Sequence, residues 1–174
     1  AADTDDNGSK GRFDLLALKW ESDGRLRQQQ GVDRSPPKLA LCEFKYYTRA
    51  LEGNAGLVGH VEDALSFISK PANVEAIKND AIRMFSQKRE LQLVDFGASK
   101  NSNTVTQLDE NVELILMIAN YDPECGKLAK ALDEIENVSG IDVKVATSNF
   151  LGYGLFKECI YDLPKFKSRF SIQN

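Results

Sequence analysis

VELILMIAN, residues Val112 to Asn120, is apolar at nearly every position. Such a run marks a strand buried on both faces, the pattern of parallel sheets covered by helices. The following residues extend that reading. Asp122-Pro123 is a helix start, with Asp as N-cap and Pro at the first helical position. Leu128, Ala131, Leu132 and Ile135 then recur along one helix face, and Gly140 ends the helix. Ile141 to Ser148 (IDVKVATS) reads as a second strand. Residues 112–148 are therefore expected to form a β-α-β unit with a right-handed parallel crossover.

Working outward, two helices precede this unit. Leu57, Val58, Val61, Ala64, Leu65 and Ile68 recur at helical spacing, as do Val74, Ile77, Ala81, Met84, Phe85 and Lys88 after Pro71. Asn73 is the expected N-cap of the second helix. Lys38 to Tyr46 (KLALCEFKY) and Arg12 to Glu21 (RFDLLALKWE) read as strands. Asp23-Gly24 is a turn signal after which another strand starts at Arg25. Gln28 to Pro37 and Gly97 to Asn111 are loops, and Phe156 to Leu163 is a last strand. The expected fold class is α/β: a mixed sheet opening with an antiparallel meander and ending in the βαβ unit, with helices covering the faces.

At 174 residues the chain fits one domain. Residues 1–10 (AADTDDNGSK) read as disordered or left over from expression, and 11–174 as the domain. No apolar stretch approaches the roughly 18 to 20 residues that span a bilayer, and the acidic start is no signal peptide. The three cysteines, Cys42, Cys125 and Cys159, form no CxxC pair and read as reduced thiols of a cytoplasmic protein. The net charge of −4 excludes coating of nucleic acid by charge alone, but not a small basic cleft. Residues 11–49 carry eight basic and five acidic side chains, whereas 109–142 carry two and nine, so the acidity is concentrated in one segment.

The chemistry-bearing feature is Glu43-Phe44-Lys45, at the end of an apolar strand. Alternation places Glu43 and Lys45 on one face with Leu39 and Leu41, and Ala40, Cys42, Phe44 and Tyr46 on the other. Burying an unpaired charge is costly, so a carboxylate and an ammonium in a core-facing row need a reason. The earlier strand repeats the anomaly: Asp14 interrupts the apolar Phe13 to Leu18. Two carboxylates and an ammonium on neighbouring strands suit metal-assisted phosphodiester hydrolysis. Mg²⁺ takes oxygen ligands and keeps several waters, and a bound cation activates water. A nearby lysine orients or deprotonates that water.

These residues resemble the PD-(D/E)XK nuclease superfamily, the restriction-endonuclease-like fold. The signature is an Asp on one strand followed by (D/E)-x-K on the next, here Asp14 and Glu43-Phe44-Lys45. Glu43 to Gly56 (EFKYYTRALEGNAG), running into a helix with His60 and Asp63, is also similar to uncharacterised bacterial members. The resemblance covers about Arg12 to Asp63. It implies that Asp14, Glu43 and the Phe44 carbonyl ligate Mg²⁺, with Mn²⁺ as a substitute, and that Lys45 positions the attacking water. It also implies a nucleic-acid substrate, DNA first, a homodimer for double-strand cleavage, and a role in defence or repair. Two departures stand out: residues 1–10 are too short and polar to be the helix that usually precedes the first strand, so that helix is expected to be truncated, lost or supplied elsewhere, and Phe13 replaces the usual Pro before the Asp.

Asp142-Val143-Lys144 has the same local form but lacks a partnering Asp strand upstream, and reads as a solvent-facing strand-edge pair. Lys38, Arg49, Asn54 and His60 are candidate nucleic-acid contacts. His60, the single histidine, reads first as a surface residue beside Asp63. Tyr46, Tyr47 and Trp20 could stack on bases, although strand aromatics usually serve the core. Gly152-Tyr153-Gly154 lacks the lysine and helix of a phosphate loop. Lys165, Lys167 and Arg169, interleaved with Phe166 and Phe170, read as a nucleic-acid contact or a frayed tail. The competing functional class is a non-catalytic module that meets a protein partner through the acidic 109–142 face.

Overall fold

The computed structural model describes residues 12–19, 36–46, 51, 53, 56–94, 105–119, 126–136, 140–148 and 160–168. In chain order these form β1 (Leu15–Leu18), β2 (Leu39–Tyr46), α1 (Leu57–Ile68), α2 (Pro71–Glu90), β3 (Val112–Ala119), α3 (Gly126–Glu136), β4 (Asp142–Ser148), β5 (Ile160–Asp162) and α4 (Leu163–Lys167). The strands make one mixed sheet in the order β1-β2-β3-β4-β5. β1 is antiparallel to β2, β2 to β4 run parallel, and β5 returns antiparallel to β4. This is the α/β class read from the sequence. The third strand of the expected meander, from Arg25, lies outside the described residues.

β3 occupies the centre and is buried at all eight positions, as its unbroken apolar sequence requires. Both parallel crossovers step in the same direction along the sheet, so crossovers of one hand place their helices on the same face. The core agrees: Leu57, Val61 and Ala64 of α1 pack with Leu128, Leu132 and Ile135 of α3 over Leu41, Leu114, Leu116 and Val145. Val74 and Ile77 of α2 pack against that cluster too. The mixed sheet flanked by helices is thus as read from the sequence, with α1, α2 and α3 packed on this face among the described residues. The second face carries a smaller buried cluster of Ala40, Cys42, Ile115, Met117 and Ala146.

Several boundaries also shift. β1 is four residues rather than ten, because the Asp14 side chain takes over the Phe44 N–H at its start. α2 begins at Pro71 with Lys70 as N-cap, not at Asn73, because proline's fixed φ and missing N–H suit the first helical position. Asn73 instead lies in the first turn, where its side-chain amide donates to the Phe67 carbonyl at 3.3 Å. Asp122-Pro123 lies outside the described residues, and α3 is described from Gly126 to Glu136, short of Gly140. Gly140 has φ of +96°, and a Cβ there would meet Leu65 Cδ1 at 3.1 Å, so glycine serves both the turn and the close approach.

At the C-terminal end β5 is described over Ile160–Asp162, with 156–159 of the expected strand outside the described residues, and it stops at Asp162 because Leu163-Pro164 opens a helix. The frayed-tail reading is corrected for Lys165 and Lys167. Both lie on α4, which is anchored by the fully buried Phe166 and by a Lys167–Asp133 ion pair of 2.7 Å. Arg169 and Phe170 lie outside the described residues. No helix among the described residues is long and apolar enough to cross a membrane.

Burial pushes the Cys42 thiol up to about 11. The thiolate is the reactive form, so at pH 8 only about a thousandth of it is available. Iodoacetamide at pH 8 should therefore leave the Cys42 peptide unlabelled in the native protein and label it after denaturation, as read by mass spectrometry. Prompt native labelling of Cys42 would contradict the packing described for β2.

Candidate functional site

β2 pairs with β1 on one edge and β3 on the other, so its pleat aims alternate side chains at the two sheet faces. Leu39, Leu41, Glu43 and Lys45 share the face that carries α1 and α3. Glu43 and Lys45 are only 4% and 7% exposed. Their cross-strand partners on β3 are Leu116 and Ile118, both fully buried. The acid and the amine compensate each other: Lys45 Nζ donates to Glu43 Oε1 at 2.9 Å. Desolvating both charges offsets much of that attraction, so the pair is a weak source of stability.

A third polar group meets the same oxygen. His60 Nε2 lies 3.1 Å from Glu43 Oε1. The sequence reading of His60 as a surface residue beside Asp63 is corrected by this contact. His60 stands three residues after Leu57 and four before Ala64, both buried, so it flanks the core stripe of α1. That spacing was the available signal. The contact is within ion-pair distance but lacks hydrogen-bond geometry, and Nε2 is a buried nitrogen with no hydrogen-bond partner among the described residues. Both neighbours of Glu43 converge on Oε1, which leaves Oε2 without a hydrogen bond among the described residues.

Asp14 sits just before β1. Continuing the β1–β2 register by one step sets it opposite Glu43. Its Oδ2 accepts the Phe44 N–H at 2.8 Å, and its own N–H donates to the Cys42 carbonyl at 3.1 Å. The carboxylate thus replaces a backbone acceptor where the two-stranded ladder ends. Asp14, Glu43, Phe44 and Lys45 are therefore gathered at the C-terminal end of β2, the end where ligands meet open parallel sheets.

Other candidates fall elsewhere. Lys38 is at the opposite end of β2, about 17 Å along the strand from Glu43. There it pairs with Glu113 at 3.2 Å. Arg49, Asn54, Tyr47, Trp20 and Gly152 to Gly154 lie outside the described residues. Tyr46 is 58% exposed on the sheet face away from Glu43. The triplet Asp142-Val143-Lys144 also falls on that other face, where Lys144 pairs with Asp142 at 3.1 Å and with Asp162. Partial burial lowers the Lys144 pKa, but the hydrogen bonds to Asp162 and Asp142 outweigh it and raise the net value. The Lys144 hydrogen bond holds the Asp162 carboxyl below its ordinary range. This is an ordinary surface ion-pair group. The acidic 109–142 segment is likewise partly paired, with Glu113 to Lys38, Asp133 to Lys167 and Asp142 to Lys144.

Among the described residues no three His, Cys, Asp or Glu side chains form a group ready to hold a metal. Mg²⁺ does not need one, because it binds through one or two carboxylates and keeps several waters. Oε2 of Glu43 and the exposed Asp14 carboxylate are oxygen donors of the required kind. No protein-family model, curated protein or solved structure matches the chain.

The energetics of the pair can be separated from any activity. Lys45→Ala strands Glu43 in the core, and the melting temperature should fall by roughly 10 °C, on the order of 3 kcal/mol. The double variant Glu43→Leu with Lys45→Met removes both charges at similar volume and should melt at or above the parent temperature. Calorimetric melts of both variants check this. A double variant that falls as far as the single would make the ion pair a structural requirement.

Proposed function

We propose that the chain is a divalent-cation-dependent phosphodiester hydrolase acting on nucleic acid, with DNA as the first substrate. One observation carries the reading. Two charged side chains occupy the helix-covered row of β2, where apolar residues would be the more stable choice, and a further carboxylate, Asp14, stands just before the adjoining strand β1 and accepts the Phe44 N–H.

Glu43 and Asp14 are the cation ligands in this reading, with the Phe44 carbonyl as a third and Mg²⁺ or Mn²⁺ as the ion. The bound ion lowers the pKa of water and offsets charge on the phosphoryl oxygens. Lys45, held by Glu43, keeps two further N–H donors with which to orient the attacking water or a phosphate oxygen. The strand order supports the restriction-endonuclease-like reading: an antiparallel Asp-bearing strand, then the acid-x-Lys strand, then a helical crossover to a parallel neighbour. Double-strand cleavage from one site per chain calls for a homodimer, and the free Cys42 thiol suits a cytoplasmic setting. Defence or repair remains the biological role this reading implies.

Supercoiled plasmid incubated with the protein and Mg²⁺ or Mn²⁺ should be nicked, and excess EDTA should stop the reaction. Glu43→Gln and Lys45→Ala should each slow nicking by about a hundredfold or more, the usual effect of removing a positioned catalytic group. Parallel assays on single-stranded DNA and RNA define the substrate. No cation-dependent nicking, or full activity in both variants, would remove the enzymatic reading.

A further inference from the structure

His60 is the part of the site that phosphodiester hydrolysis by two carboxylates and a lysine does not use. Glu43 is already compensated by Lys45, so the imidazole is not needed to balance charge. An unpartnered buried polar atom carries a desolvation cost. Nε2 is such an atom, yet it lies 3.1 Å from a carboxylate oxygen without hydrogen-bond geometry. Two ligands at right angles on one ion, each about 2.1 Å from it, stand about 3.0 Å apart. A nitrogen and an oxygen at this spacing are within ion-pair distance, and without a hydrogen bond between them they also have the separation of neighbouring ligands on one ion.

We propose that His60 Nε2 and the Glu43 carboxylate ligate one and the same divalent cation, which makes the site a mixed nitrogen–oxygen centre. The proposal rests on the reading of Glu43 as a cation ligand and adds which cation it takes. Imidazole suits transition metals, while Mg²⁺ and Ca²⁺ favour oxygen donors. The site therefore prefers an ion of the Mn²⁺-to-Zn²⁺ series to Mg²⁺ or Ca²⁺. α1 carries the nitrogen and β2 the oxygen, so cation binding also ties the helix to the sheet.

His60 is the chain's single histidine, so an imidazole signal on a bound ion can come only from it. The full chain loaded with MnCl₂ alone should show ¹⁴N coupling in pulsed electron paramagnetic resonance, and this measurement needs no variant. His60→Gln should abolish the coupling. In calorimetry with CoCl₂ and MgCl₂, the same variant should weaken Co²⁺ binding at least about tenfold while leaving Mg²⁺ within about twofold. Glu43→Gln should weaken both. Saturable Mn²⁺ binding without ¹⁴N coupling, lost in Glu43→Gln but not in His60→Gln, overturns the shared ligation and leaves the Glu43 reading standing. Coupling that persists at full Mn²⁺ affinity in Glu43→Gln overturns the shared site. Absence of saturable Mn²⁺ binding to the parent chain overturns both readings.

Discussion

Strand β2 is hydrogen-bonded along both edges, and that constraint decides where each of its side chains goes. Eight residues of β2 stand in register with eight of β3, from Leu39 opposite Val112 to Tyr46 opposite Ala119. A slip of one residue would exchange the two faces. It would turn Ala40, Cys42, Phe44 and Tyr46 toward α1 and send Glu43 and Lys45 to the other side. Leu39 and Leu41 oppose the slip, since both are fully buried on the helix face. The charged residues therefore ride inward on a register held by their apolar neighbours.

The elements legible in the sequence are those with a long, unmixed period. β3 could be read because every position is buried, and α1 because its apolar stripe repeats over three turns. The parallel βαβ unit followed from the apolar stripe Leu128, Ala131, Leu132 and Ile135 lying between two apolar strands. What escaped has local or tertiary causes. Pro71 displaced Asn73 as the marker of the α2 start, a competition between two good helix-start residues. α4 is only five residues long, too short for a period, and is held by two buried residues, Leu163 and Phe166, and by the Lys167–Asp133 ion pair. Asp14, Glu43 and Lys45 were legible because a charge in an apolar run is visible in one dimension. The contact of His60 with Glu43 was not, because it joins a helix to a strand seventeen residues away and depends on the crossover geometry.

The two acid-x-Lys triplets show how much of a motif's meaning is supplied by the fold. Glu43-Phe44-Lys45 and Asp142-Val143-Lys144 have the same form on parallel strands of one sheet. The first falls on the face packed under α1, in phase with Leu39 and Leu41. The second falls on the opposite face, since Val143 and Val145 take the inward positions of β4. Its acid is 48% exposed as a side chain, and its lysine is shared between two carboxylates. Such pairs are worth about 0–1 kcal/mol and need no function to explain them. Phase relative to the core row separates the two cases.

A second comparison lies within the more buried pairs. Lys38–Glu113 also joins a lysine to a buried acid, with Glu113 at 7% side-chain exposure. There the lysine is 32% exposed, so its amine is partly hydrated and the acid is compensated at modest desolvation cost. At Glu43 both partners are sequestered, at 5% and 8%, which raises that cost. A second nitrogen, His60 Nε2, then crowds the same oxygen without bonding to it. Neutralisation alone accounts for the first pair. In the second, one carboxylate oxygen faces two nitrogen groups, of which Lys45 makes the hydrogen bond and His60 only an ion-pair-distance contact. Glu43 is thus a buried carboxylate at the C-terminal end of β2 with two nitrogen groups beside one of its oxygens, whereas Glu113 has one partly hydrated partner.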